Sequence, residues 1–165
     1  MAKLKRFLVT LIATALGSGF SPKAPGTAGS VIAVILVYCI RDWSFPSFAL
    51  LWLAIFFIGW WATLEWSRAH QAKDSQQIVI DEVLGYMIAV SFTPKSMAVL
   101  WIQFILFRIF DALKPPPIRQ LDRWGKQFKI GPTQSLGVIL DDLLAGALSL
   151  LVYFALSPYL KNFID

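Results

Sequence analysis

Residues 43–64 read WSFPSFALLWLAIFFIGWWATL, a run from Trp43 to Leu64 that contains no charged side chain. About 20 predominantly apolar residues are enough for an α-helix to cross the ~30 Å hydrocarbon core of a bilayer. The rest of the chain supports this interpretation, since 57% of its 165 residues are hydrophobic and 15% are charged. A soluble domain averages ~45–50% apolar and ~25% charged residues. The sequence therefore predicts an all-α protein embedded in a membrane.

Four further segments are apolar enough to be predicted as spans: 24–40, 78–92, 96–107 and 143–160. Segment 4–16 is either interfacial or only partly inserted. We therefore predict a polytopic helical membrane protein with about five transmembrane helices plus an N-terminal interfacial or partly inserted helix. No long linker or low-complexity tract interrupts the chain, so residues 1–165 are predicted to form a single integral-membrane domain.

The distribution of lysine and arginine orients the predicted helices, because cytosolic segments of membrane proteins carry an excess of these residues. If the segment around Pro25 is cytosolic and the five spans alternate, most of the 15 basic residues fall on the cytosolic side. The outer side then holds only Arg41, Lys95 and Lys161. The same alternation places most acidic residues at the cytosolic face, so the polar residues of distant helices are expected to meet there.

Two pairs of adjacent carboxylates, Asp81-Glu82 and Asp141-Asp142, are each predicted at the first turn of an apolar helix. A charged side chain near hydrocarbon costs ~2.5–3.5 kcal/mol or more. A divalent cation offsets this cost, and Mg²⁺ prefers oxygen ligands from a few carboxylates and a substrate phosphate. The alternative is that each pair complements the dipole of its helix. Metal binding or catalysis is favoured, because the dipole explains one pair more easily than two similar pairs.

Residues 107–115 read FRIFDALKP and carry a cation, an acid and a second cation on one helix face. Arg108 and Asp111 are three residues apart and Lys114 continues the same face. One interpretation is an internal ion pair that makes Arg108 tolerable in the membrane. The other has Asp111 as a metal ligand or base and the cations as phosphate-binding groups, since arginine binds phosphate bidentately and lysine as a point charge. The two interpretations are compatible.

Residues 17–30 read GSGFSPKAPGTAGS, which breaks a helix and predicts a new one from about Thr27. The free N–H groups of a helix start attract phosphate, and the Thr27 and Ser30 hydroxyls are candidate donors. The alternative is a plain turn with Thr27 as the N-cap. After the three prolines at 115–117, Arg119 is the nearest candidate for a substrate contact, while the other basic residues there are expected to meet anionic headgroups.

Several classes of function are disfavoured by composition. One Cys and one His exclude a cysteine framework and give little support to a histidine-based phosphatase, and no Asp-x-Asp motif is present. The formal charge of +5 suits anionic phospholipid as partner. Nucleic acid is not expected, because the sequence contains no soluble basic domain to bind it.

The motifs GSGFSP (17–22), PGTAGS (25–30), IDEVLG (80–85), FRIFDALKPPPIR (107–119) and ILDDLLAG (139–146) resemble those of bacterial phosphatidylglycerophosphatase A. The resemblance covers nearly the whole chain, although 131–137 is less glycine-rich than expected. It implies a Mg²⁺-dependent, multi-pass enzyme of the bacterial inner (cytoplasmic) membrane with its active site facing the cytosol. The implied reaction is hydrolysis of phosphatidylglycerophosphate to phosphatidylglycerol and inorganic phosphate, a step of phospholipid biosynthesis.

The expected site follows from these motifs. Five acids are predicted to be catalytic and to bind the metal: Asp81, Glu82, Asp111, Asp141 and Asp142. Five residues are predicted to bind phosphate: Thr27, Ser30, Arg108, Lys114 and Arg119. Direct attack by water and an aspartyl-phosphate intermediate both stay open. A different class, a small membrane ion or solute transporter using clustered acids, is the alternative, because intramembrane acids and broken helices also mark transport sites.

Overall fold

The structure, a computed structural model, describes residues 2–73 and 75–164, and within these ranges the chain is helical with no β-strand. Its α-helices are α1 (Ala2–Ala13), α2 (Pro25–Cys39), α3 (Phe45–His70), α4 (Ile80–Ala89), α5 (Met97–Leu113), α6 (Ile118–Gln127) and α7 (Pro132–Ile164). A 3₁₀ turn at Ser18–Phe20 lies between α1 and α2. The predicted all-α class is confirmed.

Two of the described helices are long and apolar enough to cross a membrane: α3, with 26 residues, and the 28 residues of α7 from Pro132 to Tyr159. At 1.5 Å per residue they extend about 39 Å and about 42 Å. Helix α4 has 10 residues, or about 15 Å, and is shorter than the predicted segment 78–92. It ends before Thr93-Pro94, because the residue preceding a proline is disfavoured in helical conformation.

The start of α7 differs from the prediction. Helix α7 begins at Pro132, so Asp141 and Asp142 lie in its third turn, and the prediction that they occupy a first turn is wrong. A proline is well suited to the first position of a helix, where its missing N–H has no partner to lose. Asp81 and Glu82 do lie in the first turn of α4. Since the dipole effect fades beyond the first turn, it does not account for Asp141 and Asp142.

Helix α7 is central and packs against α3, α4, α5 and α6. Its crossing with α4 depends on two glycines, Gly85 and Gly146. A Cβ atom added to Gly85 would lie 2.5 Å from the backbone oxygen of Asp142, and a Cβ added to Gly146 would collide with the backbone oxygen of Gly85. Glycine, which has no Cβ, permits this approach. The close crossing brings the acidic pairs of the two helices together.

Two hydrogen bonds and an ion pair link several elements on one side of the bundle. The indole Nε1 of Trp60, in α3, donates to the backbone oxygen of Pro132 at the start of α7 (2.9 Å). The backbone N–H of Val79, just before α4, donates to the carbonyl of Ala13 at the end of α1 (2.9 Å). Near the beginning of α1, the Lys5 ammonium lies 2.5 Å from Glu65 of α3. The polar cavity described next opens on this side.

Candidate active site

A cavity of about 430 Å³ is formed by the first turns of α2 and α4, the end of α5, α6 and the third turn of α7. Eight of the ten predicted site residues line it: Thr27, Asp81, Glu82, Arg108, Asp111, Lys114, Asp141 and Asp142. Residues separated by more than 100 positions in the chain therefore share one polar cavity. These residues meet at one end of the bundle.

Three of the five predicted acids form a compact group. One carboxylate oxygen from each of Asp81, Glu82 and Asp142 lies within 4.8 Å of the other two. Asp81 and Asp142 are buried, at 7% and 4% exposure. The Oε2 atom of Glu82 is also buried and has no hydrogen-bond partner within the described residues. Like charges this close and this buried repel each other, so the acidic group could bind a metal cation.

The other two acids are paired with the cations of the predicted phosphate site. A guanidinium nitrogen of Arg108, Nη1, lies 2.6 Å from Asp111 Oδ2 and 4.0 Å from Glu82 Oε1. The Lys114 ammonium lies 2.5 Å from Asp141 Oδ2. The internal ion pair predicted for Arg108 is therefore present, and it holds the guanidinium beside the acidic group. The cavity thus contains both an acidic group and oriented cations.

The start of α2 forms the wall next to Glu82 and Arg108. Helix α2 begins at Pro25 with Ala24 as its N-cap, so the predicted start near Thr27 is two residues late and the alternative that made Thr27 the N-cap is wrong. Proline at the first helical position shifts the start two residues towards the N-terminus. A Cβ added to Gly26 would collide with Glu82 Oε1 and lie 3.1 Å from Arg108 Nη1. The glycine therefore lets both side chains reach the backbone of α2.

Two predicted phosphate-binding residues lie outside the cavity wall. Ser30 is buried behind Arg108, where its hydroxyl donates to the backbone oxygen of Gly26 (2.9 Å) and accepts from Arg108 Nη1 (3.5 Å). Arg119 is exposed on α6, and its Nη2 donates to the backbone oxygen of Leu113 (3.4 Å). In this conformation Ser30 positions Arg108, and Arg119 stays on the outer surface.

Asp122 of α6 lines the cavity and was not predicted. Its Oδ1 atom accepts a hydrogen bond from Lys114 Nζ at 2.9 Å, and Lys126 of the same helix also lies 2.9 Å from Oδ1. The signal in the sequence is weak but real: Asp122 is the one acid in the basic segment between Lys114 and Gln134, four residues before Lys126. Opposite charges four residues apart on a helix face one another.

These contacts affect the pKa values of Lys114 and Asp122. Burial alone would lower the pKa of the Lys114 ammonium, but the Asp141 and Asp122 carboxylates together outweigh burial and raise it. Burial would raise the pKa of Asp122, but hydrogen bonds from Lys114 and Lys126 lower it below its ordinary value. Both groups are therefore ionised at neutral pH, and the cavity offers a fixed ammonium group to an anionic substrate.

An acidic group able to hold a metal, beside cations able to bind a phosphate, is the arrangement of an enzyme that hydrolyses phosphoric monoesters, and the apolar helices around it suit a lipid substrate. Comparison with known proteins specifies this class further. The sequence model of the family described as Phosphatidylglycerophosphatase A matches residues 11–157. The chain belongs to this family, as its motifs predicted, and is a lipid phosphatase.

Individual relatives agree with the family match. The chain is 32% identical to "Phosphatidylglycerophosphatase A" of Haemophilus influenzae, over 92% of this chain and 90% of the relative. It is 31% identical to the protein of the same name from Escherichia coli, over 87% and 81%. It is 37% identical to a "Putative phosphatidylinositol-3-phosphatase" of Bacteroides thetaiotaomicron, over 91% and 94%. No solved structure matches the chain significantly. The transporter alternative is not favoured.

Proposed function

We propose that this chain hydrolyses the terminal phosphate monoester of phosphatidylglycerophosphate, with Mg²⁺ as cofactor, to give phosphatidylglycerol and inorganic phosphate. The observation that carries the proposal is the convergence of Asp81, Glu82 and Asp142 beside Arg108 in one cavity. Membership of the family supports the reaction, and the chemistry of the cavity supports the cofactor.

The residues present fit a magnesium ion. Three carboxylates supply oxygen ligands of the kind that Mg²⁺ prefers, and the buried Glu82 Oε2 has an unused acceptor site. Asp81, Glu82 and Asp142 would hold the ion. When bound, Mg²⁺ neutralises charge on phosphate oxygens and acts as a Lewis acid. The wider prediction that Asp111 and Asp141 are also ligands requires them to leave their ion pairs with Arg108 and Lys114, and it remains part of the proposal.

The side chains of the cavity have separate tasks in this mechanism. Arg108, fixed by Asp111, donates two parallel N–H groups to phosphoryl oxygens, while Lys114 adds a point charge and Thr27 a hydroxyl. A water oxygen forms the new bond to phosphorus as the ester P–O bond breaks. A carboxylate of the cavity accepts the proton of the water, and the departing alkoxide of phosphatidylglycerol takes up a proton. Attack by a carboxylate, giving an aspartyl-phosphate that water then cleaves, is the competing route.

The substrate class is a phospholipid whose headgroup carries a phosphate monoester. Phosphatidylglycerophosphate joins its polyol headgroup to the lipid through a phosphodiester and carries the monoester at the far end. Phosphatidylinositol-3-phosphate shares this arrangement. Because a relative named for the latter activity is 37% identical over 91% of the chain, that lipid is our second candidate substrate.

We also propose the placement in the membrane: a single domain with five crossings in the bacterial inner membrane and the cavity at the cytosolic face. Helices α2, α3, α5 and α7 supply four crossings, and α4 completes the fifth with residues 90–96. Irregular backbone at membrane depth is tolerated where protein surrounds it, as at the buried Val90 and Thr93, while the exposed Phe92 would face lipid. Helix α1 then lies at or partly within the interface, because contacts near both of its ends are with the cavity side of the bundle.

The test is phosphate release by the purified full-length protein in detergent. The substrates are phosphatidylglycerophosphate, phosphatidylinositol-3-phosphate and phosphatidic acid, each with Mg²⁺, with EDTA, and with Mg²⁺ restored. We expect release from the first lipid, loss with EDTA and recovery with Mg²⁺. No release from any of the three lipids would sink the proposed activity, and full activity in EDTA would remove the metal from it.

A further inference from the structure

Asp122 lies on the inner face of α6, although Arg119 and Arg123 give that helix a basic character. Its side chain is 15% exposed. Ile118 and Gly125, which are four residues before and three residues after it, share its face and are both buried. Helix α6 therefore presents one acid towards the cavity and its arginines elsewhere.

The carboxylate of Asp122 provides Lys114 with a second anionic partner. Lys114 Nζ lies 2.9 Å from Asp122 Oδ1 and 2.5 Å from Asp141 Oδ2, so the ammonium is held between α6 and α7. Lysine has a flexible stem with rotatable donors, and its position is set by what it binds. Without Asp122, Asp141 would be its remaining anionic hydrogen-bond partner among the described residues, and the ammonium would be drawn into that pair.

The docking of α6 does not depend on Asp122 alone. A Cβ added to Gly125 would lie 2.9 Å from the Cα atom of Gly137, so α6 and α7 pack backbone to backbone at that point. Ile118 is fully buried. Asp122→Asn conserves the volume of the side chain and removes its charge, so it is expected to leave α6 in place while weakening the hold on Lys114.

We propose that Asp122 is a positioning residue, an inference that rests on the proposed function. Asp122 holds the Lys114 ammonium at the cavity wall, where the ammonium faces the phosphate of the substrate. Asp122 itself does not touch the reacting atoms. The bridge through Lys114 links α6 to Asp141, so the cavity is complete only with α6 docked. Lys114 is thus held from two sides, by Asp122 of α6 and by Asp141 of α7.

The test measures inorganic phosphate binding to the full-length protein in detergent with Mg²⁺, alongside product inhibition by phosphate and the KM and kcat for the lipid substrate. The variants are Asp122→Asn, Asp122→Glu and, as a control with the same change of charge, Asp42→Asn. Asp42 is in the turn at the opposite end of α3 from the cavity, and its side chain is 87% exposed. Melting temperature in detergent is followed for each variant.

We expect Asp122→Asn to weaken phosphate binding and raise KM by about tenfold, the size of one charge-assisted hydrogen bond, with kcat changed less. Asp122→Glu should restore most of the affinity, and Asp42→Asn should match the wild type. Unchanged phosphate affinity in Asp122→Asn, or a wild-type protein that binds no phosphate, would overturn the inference. If phosphate binding depends on Asp122 but no lipid is hydrolysed, the inference holds and the proposed function fails.

Discussion

Replacing Gly85 by alanine tests whether the crossing of α4 and α7 sets the geometry of the acidic group. The new Cβ would lie 2.5 Å from the backbone oxygen of Asp142 and 2.8 Å from a ring carbon of Phe107, whereas ordinary van der Waals contact begins at 3.4 Å. The backbone oxygen cannot rotate away. The two helices must therefore separate by about 1 Å at this point, the difference between 3.4 and 2.5 Å.

The displacement acts directly on the carboxylates. Asp81 and Glu82 are four and three residues before Gly85 and so lie on the same face of α4, while Asp142 is the residue that the new methyl group meets. Misplacing reacting groups by about 1 Å costs about 100-fold in rate. Overpacking of this kind also costs ~1–3 kcal/mol in stability, which should leave the protein folded in detergent.

The assay is phosphate release from the lipid substrate as a function of Mg²⁺ concentration. We expect Gly85→Ala to lower kcat/KM by about 100-fold and to require more Mg²⁺ for half-maximal activity. Gly131→Ala is the matched control, since a Cβ there meets nothing closer than the Lys129 backbone oxygen at 3.6 Å. Wild-type activity and Mg²⁺ dependence in a well-folded Gly85→Ala variant would refute the link between the glycine crossing and the site.

Three further predictions follow from the site. Asp142→Asn should lower activity by at least about 100-fold and weaken Mg²⁺ activation, because Asp142 is a direct ligand in the proposed site and a direct ligand matters at least as much as its supporting groups; a Mg²⁺ titration measures this. Arg108→Lys should cost about tenfold or more in kcat/KM, since lysine cannot replace the bidentate contact or the full pairing with Asp111. Folding lowers the pKa of Asp122 and raises the pKa of Lys114. The ion pair between them therefore makes its full contribution to the free energy of unfolding above the unfolded Asp pKa of ~3.9 and below the unfolded Lys pKa of ~10.4. The difference in melting temperature between wild type and Asp122→Asn should therefore be constant from about pH 7 to about pH 9, and a marked change within that range would contradict the assignment.

The convergence of the acids could be predicted from the sequence because it depends on two simple properties. Apolar runs indicate where helices are, and the bias of lysine and arginine indicates which ends share a side of the membrane. Asp81, Asp111 and Asp141 then fall at the same end without knowledge of any contact. The pairing of Arg108 with Asp111 was equally accessible, since a spacing of three residues fixes it within one helix.

The remaining features depend on information that hydropathy does not carry. Residues 132–135 are polar, and Asp141-Asp142 separate the apolar residues 136–140 from the predicted span. All of them nevertheless belong to α7, because Pro132 suits the first position of a helix. The pairing of Lys114 with Asp122 crosses three prolines, so it depends on the direction in which α6 leaves that turn. Patterns within one helix were predictable, and contacts set by the angle between helices were not.

The similarity between IDEVLG and LDDLLAG has a geometric cause in this structure. It could have been the trace of two repeated halves, as in transporters. However, α4 has 10 residues and α7 has 33, which does not suggest a duplicated unit. In each motif a glycine follows an acid by one helical turn and therefore lies on the same face. The glycines allow two backbones to touch, and the acids, one turn away, are brought within range of a shared cation. A close helix crossing that must also assemble a carboxylate group imposes the same short pattern on both helices.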